Sequence, residues 1–469
     1  MDNSKPLWQW SACDLAAAIR NRDVSCEEAV ASSVTRMQEV NPHLNAVVIE
    51  LPEQALEQAK RADNLAQNGG ALGPLHGVPV TVKVNTDLKG YPNSNGVPAL
   101  AGNIAPDDAP VVANLKKAGA IVVGITNTPE FSFRIMTENP LYGLTRNPWH
   151  DDFTCGGSSG GAASATAAGI TPIAQGNDIG GSLRLPAFCC GVSTVRPTLG
   201  RVPSYNPSQM DERSLSAQLF SVQGPIAREV KDVRLALSVM AQGDPRDPWW
   251  VPAPLEGPKM ERPIKVAVSK APAGLTPEPG ILAGIEKAAL YLSDAGYDVV
   301  DVEAPFSEEL SELWLSLIMS EMKEMQDAII RQASSQDMLT FIDSLYGHTR
   351  LLDHNGYMRG LMRRTTLLRE WLMFLDQYPL VLSPLSLKTS YRVNEDLEGF
   401  EKAGVLLKSL YTQFSINTLG LPAAVAPMGL ENGVPFGVQL VGQRYREDIC
   451  LDAAEVIEKK VGILSEQLW

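Results

Sequence analysis

The chain has 469 residues, 44% hydrophobic and 20% charged. That mix builds a large buried core and excludes a disordered or low-complexity chain. A formal charge of −14 disfavours a nucleic-acid backbone as partner and suits a neutral or non-acidic small ligand.

Six cysteines (Cys13, Cys26, Cys155, Cys189, Cys190 and Cys450) include no CxxC pair. Neither a disulfide framework nor a zinc site is expected, and reduced structural thiols fit a cytoplasmic protein. The opening "MDNSKPLWQWSACDL" lacks the apolar stretch of a secretory signal. No apolar run of about 18 residues occurs, so no membrane span is expected.

In chain order, the first 68 residues read as helices. Ser11 with Asp14 and Ser25 with Glu28 are capping-box spacings. Ala55, Ala59, Ala62 and Ala66 line one face of a third helix, which Gly69 stops. The period then changes. In "GVPVTVKVN", Val78, Val80, Val82 and Val84 alternate with Thr81, Lys83 and Asn85, which predicts a strand with one apolar and one polar face. On that reading alone Lys83 is most simply an exposed lysine.

Next come a helix ending near Gly119 and a buried strand from Ala120 to Ile125. A helix of small residues, Ala162 to Ala168, leads to a strand from Ile170 to Gln175. Strand and helix alternate again at "PIKVAVS" and "PGILAGIEKAALYLSDAGYDVVDV". This alternation predicts an α/β fold. Residues 307–375 read as helical, with Met319, Met322, Met325, Met358, Met362 and Met373 as core filler or an adaptable apolar pocket. "LPAAVAPMGL" and "PFGVQLVG" are two more strands joined through "ENG". No linker or repeat divides the chain, so 1–469 is read as one domain.

The five histidines stand in no zinc-binding motif, and no glycine-rich nucleotide cradle is present. No metal or cofactor is expected. A base other than histidine is needed if a serine is to react. "GGSSGG" at 156–161 resembles a flexible linker, but a compact helix–strand unit separates it from a second glycine–serine turn, "GNDIGGS". Such turns can gather backbone N–H groups beside a serine hydroxyl, combining a nucleophile with an oxyanion site. A plain sharp bend is the alternative. A lysine held away from water loses its charge and can accept a proton, which makes Lys83 the candidate base.

"GVPVTVK", "GGSSGG" and "GNDIGGSLRLPA", in that order, resemble the amidase signature family. "RPTLGRVP" and "LPAAVAPMG…PFGVQLVG" extend the resemblance over nearly the whole chain. It implies a central mixed β-sheet covered by helices on both faces, with the signature core at about 70–260 and a helical substrate-pocket region at about 303–395. It also implies a Ser–cis-Ser–Lys triad. Ser182 would be the nucleophile, Ser158 the bridging serine beside a cis peptide, and Lys83 the base. Ile179, Gly180, Gly181 and Ser182 would supply oxyanion N–H groups. Asp178 and Arg184 would support the turn, and Ser159 the network. Departures from the family pattern are Val84, often Asp; Asn177, usually Thr; and Cys155, commonly Pro.

The expected reaction is hydrolysis of a small neutral aryl or short acyl amide through a serine acyl-enzyme. The alternatives are a carbamate or ester hydrolase and a glutamine-dependent transamidase subunit. Retention of all three reacting side chains argues against a non-catalytic scaffold. The expected partner is the small-molecule amide, without nucleic acid or membrane; a homodimer is left open.

Overall fold

The structure, a computed structural model, describes residues 5–469. Among these, eleven strands form one sheet. They are β1 (Val47–Glu50), β2 (Pro79–Lys83), β3 (Ile121–Thr126), β4 (Ile173–Asp178), β5 (Ser193–Arg196), β6 (Val222–Ala227), β7 (Lys265–Val268), β8 (Asp298–Asp301), β9 (Leu380–Pro384), β10 (Ala423–Glu431) and β11 (Val434–Gly442). Their spatial order is β1-β3-β2-β4-β6-β5-β10-β11-β9-β7-β8. β2 runs parallel to β3 and β4, and β7 parallel to β8 and β9; the other pairs are antiparallel. The sheet is therefore mixed, and it draws on the chain from residue 47 to 442.

The expected helix starts are present. Ser25 and Glu28 form a complete capping box at the helix Cys26–Leu44. Ser11 accepts from the Asp14 N–H at the helix Ala12–Asn21. Gly69, just past the helix Pro52–Gln67, has φ +73°, the left-handed geometry that favours glycine. The stretch 307–375, expected to be helical, consists of four helices, Glu308–Met325, Asp327–Ala333, Gln336–Gly347 and His354–Gln377.

Four expectations change. The first 68 residues are not all helical: β1 (Val47–Glu50) lies between two of the helices and pairs with β3. β2 has no polar face: Thr81 and Lys83 are as fully buried as the valines. Helical layers cover both sides of the sheet, so alternation does not mark a solvent face here. β4 starts at Ile173 and runs to Asp178, not from Ile170 to Gln175. The Ile170 N–H is held by Ala165 C=O at the end of the preceding helix (2.9 Å), and Pro172 has no N–H to give a ladder. Of the six methionines, Met319 and Met322 are buried, whereas Met325, Met358, Met362 and Met373 are exposed. They lie on outer faces of their helices, so spacing along one helix did not report burial.

The small-residue helix is Gly160–Ala167, buried along its whole length. A Cβ at Gly161 would lie 2.4 Å from Asn127 N and 2.6 Å from Ala46 O. The bare glycine lets this helix seat against neighbouring backbone, carrying Ser158 and Ser159 to the ends of β2 and β4.

Candidate active site

Lys83 is the last residue of β2 and is fully buried. Its backbone N–H donates to Gln175 Oε1 on β4 (3.0 Å). Its Nζ lies 2.7 Å from Ser158 Oγ, 2.8 Å from Asn177 Oδ1 and 3.1 Å from Ser159 Oγ. All of its side-chain partners are uncharged. Burial pushes the Lys83 pKa well below 10.5, and Asp178 only partly opposes the shift. An amine in such surroundings favours its neutral form.

Ser158 and Ser159 sit in the turn before the helix Gly160–Ala167, and the Gly157–Ser158 peptide is cis. Thr128 Oγ1 donates to Ser158 C=O (3.0 Å). The Ser159 N–H donates to Ser182 C=O (3.2 Å), tying the two glycine–serine turns together. Ser182 is 9% exposed and borders a cavity of about 160 Å³. Among the described residues, its hydroxyl makes no hydrogen bond, including none to Ser158.

Asp178 organises the second turn. Its carboxylate accepts from Gly181 N–H (2.9 Å), Leu183 N–H (3.3 Å), Arg184 Nε and Nη2 (3.0 and 3.2 Å) and Asn417 Nδ2 (2.8 Å). Burial alone would raise the Asp178 pKa; Arg184, Arg196 and Asn417 hold it well below the usual carboxylate range. One expectation is corrected: the Gly181 N–H is already committed to Asp178, so Gly181 does not offer a free oxyanion donor. It supplies instead a φ of +109°. The N–H groups of Ile179, Gly180 and Ser182 have no hydrogen-bond partner among the described residues.

The cavity wall joins distant segments. Trp314, Ile318, Met322, Phe341 and Leu345 come from the expected pocket region, and Phe133, Ala217, Leu407 and Phe414 come from outside it. Trp314 stacks on Phe414 (4.4 Å between centroids, 10°) and donates its Nε1–H to Ile179 C=O (2.7 Å). The cavity wall thus touches the Ser182 turn directly. A second cavity of about 260 Å³ shares Ser132, Ile179 and Arg213 with the first and is lined by Asn85, Ser158 and Asn177. Sequence reading missed Asn85, Ser132, Arg213, Trp314 and Phe414; none stands in a motif, and their convergence is purely tertiary.

Of the departures, Asn177 touches Lys83. Cys155 is fully buried and its thiol is pushed up to about 12, so it is inert packing. Val84 is buried core. All six cysteines are unpaired. Among the described residues no cluster of three or more His, Cys, Asp or Glu side chains could hold a metal ion, and no helix is long and apolar enough to cross a membrane.

Comparison with known proteins fits this geometry. Residues 28–451 match the Amidase family. The chain is 51% identical over 465 residues to an indoleacetamide hydrolase of Bradyrhizobium diazoefficiens, covering 99% of this chain and 89% of the relative. It is 30% identical over 485 residues to a glutamyl-tRNA(Gln) amidotransferase subunit of Moorella thermoacetica, covering 97% of each. The crystal structure of a bacterial aryl acylamidase of the amidase signature family superposes with a TM-score of 0.83 at 26% identity, covering 99% of this chain and 98% of that one. The chain belongs to the amidase signature family and is a hydrolase of amide C–N bonds.

Proposed function

We propose that the chain hydrolyses a primary arylacetamide, of the indoleacetamide class, to the arylacetate and ammonia, with Ser182 as nucleophile. The observation that carries this reading is the buried Lys83–Ser158 contact, where burial pushes the lysine pKa down, beside a serine facing an apolar, aromatic-walled cavity. The likeness to an indoleacetamide hydrolase supports the choice of acyl group.

In the mechanism, the substrate's aryl group fills the cavity beside Trp314 and Ile318. Its carbonyl oxygen takes the N–H groups of Ile179, Gly180 and Ser182. Neutral Lys83 accepts the proton of Ser158, Ser158 accepts that of Ser182, and Ser182 Oγ forms a bond to the carbonyl carbon. The Ser158–Ser182 hydrogen bond closes when substrate is seated, as catalytic contacts often do. Collapse of the tetrahedral intermediate breaks the C–N bond, and the proton passes back through Ser158 to the leaving nitrogen. Water then attacks the ester by the same relay and releases the carboxylate. Each oxyanion donor is worth on the order of 3 kcal/mol in such chemistry. Asp178 and Arg184 hold the turn and take no proton. The unpaired cysteines support a reducing, cytoplasmic setting.

The test incubates the purified full chain with indoleacetamide, phenylacetamide, an anilide, an ester, a carbamate and glutamine. Arylacetamides are expected to release ammonia with the highest kcat/KM, and intact-mass measurement to show an acyl adduct that Ser182→Ala abolishes. Glutamine as the preferred substrate would instead favour the transamidase reading, and a higher kcat/KM for the ester or carbamate would reassign the reaction.

A further inference from the structure

Resting on the reading of Lys83 as base, the surroundings of its amine carry one step more. A neutral amine has two N–H donors and one lone pair. Nζ has three neighbours: Ser158 Oγ, Asn177 Oδ1 and Ser159 Oγ. Asn177 Oδ1 can only accept. Ser159 Oγ gives its own proton to Asn177 C=O (3.2 Å), so toward the amine it too accepts. Both amine protons are then taken, and the lone pair is left for the Ser158 O–H.

The direction of the Asn177 carboxamide is itself set from outside. Its Nδ2 donates to Asn85 Oδ1 (2.8 Å), Asn85 Nδ2 donates to Ser132 Oγ (2.8 Å), and Ser132 Oγ donates to Asn95 Oδ1 (2.6 Å). These three short bonds run outward from Asn177; Asn85 Nδ2 also makes a longer contact back to Asn177 Oδ1 (3.4 Å), which again requires that oxygen to face inward as an acceptor. A reversed Asn177 would set its NH₂ group against the amine and break the contact to Asn85.

We propose that Asn177, oriented by Asn85 and Ser132, is a positioning residue that aims the Lys83 lone pair at Ser158. Being uncharged, the carboxamide does this without holding the ammonium form in place, as a carboxylate would. Once Lys83 has taken the proton, its three N–H groups find three acceptors already in position, so the relay needs no rearrangement. The charged group acting on Lys83 is Asp178, whose own charge is engaged by Arg184 and Arg196.

The experiment compares pH profiles of kcat/KM for phenylacetamide in wild type, Asn177→Asp and Asn85→Ala, with unfolding midpoints as a control. In Asn177→Asp the new carboxylate favours the charged lysine. The rising limb should move up by about one pH unit or more, with about tenfold or greater loss at pH 7 that recovers as pH rises. Asn85→Ala should lower kcat by about tenfold with KM little changed. A limb that stays in place in Asn177→Asp overturns the proposal, whether activity is kept or lost uniformly. If that variant does not fold, Asn85→Ala decides: wild-type kcat overturns it. A Lys83→Ala protein that retained turnover would instead overturn the reading of the site on which this inference stands.

Discussion

Lys83 and Arg184 are both buried basic side chains of this site, yet they are surrounded in opposite ways. Arg184 makes a paired contact to the Asp178 carboxylate and further bonds to Gln439 Oε1 (2.7 Å) and Gln413 C=O (3.1 Å). Lys83 touches only two hydroxyls and a carboxamide. A guanidinium so surrounded pins the turn. An amine left without a counter-ion can give its charge up. The difference separates a structural cation from the amine proposed to react by their partners, where burial alone would treat them alike.

Removing the reactive cation should cost most activity: Lys83→Ala is expected to lose at least about a thousandfold in kcat/KM, measured by ammonia release, with an unfolding midpoint near wild type. Activity close to wild type would erase the contrast. Removing the partner of the structural cation should act on stability instead. Asp178→Asn leaves Arg184 buried without a charge partner and should cost about 3–5 kcal/mol, read by urea unfolding.

The pH dependence sharpens the same comparison. The folded-state pKa of Lys83 lies below its ordinary 10.5. Between those two values the unfolded chain binds the proton and the folded chain does not, so stability rises with pH across that window. Activity should rise through the lower edge of the same window. Urea midpoints and kcat/KM measured from neutral to alkaline pH test both slopes, and Lys83→Ala should flatten the first. A fall of stability with pH that Lys83→Ala removes would mean the lysine is charged in the fold. Smaller still, Ile318→Phe narrows the cavity and should raise KM for indoleacetamide by about tenfold while leaving acetamide nearly unaffected. Equal effects on both would place the acyl group elsewhere.

Much of the site was legible before any coordinates. Ser158, Ser159, Asp178 and Ser182 stand in two glycine–serine turns, which the resemblance to the family marked out. Lys83 was legible as a lysine among valines, but its burial was not. Alternation along a strand says which residues share a face, not whether a helix covers that face. The oxyanion turn was legible as a set of N–H groups, but which of them Asp178 consumes depends on a carboxylate orientation fixed by Arg184 and Asn417. The cavity was the least legible part. Trp314 and Phe414 are a hundred positions apart in the numbering and meet only because their helices pack together, and most of the methionines that suggested a pocket face outward.

By itself, then, the sequence determined the alternating α/β plan and the close-packed small-residue helix, because spacing and side-chain size are local properties, and through its family resemblance it named candidate reacting groups. Only the tertiary structure decided that Lys83 is buried with uncharged hydrogen-bond partners alone, that Asn177 and Asn85 stand beside its amine, and which aromatic wall meets Ser182. Those outcomes depend on what distant segments bring to one point, and solvation and electrostatic surroundings exist only once the segments have met.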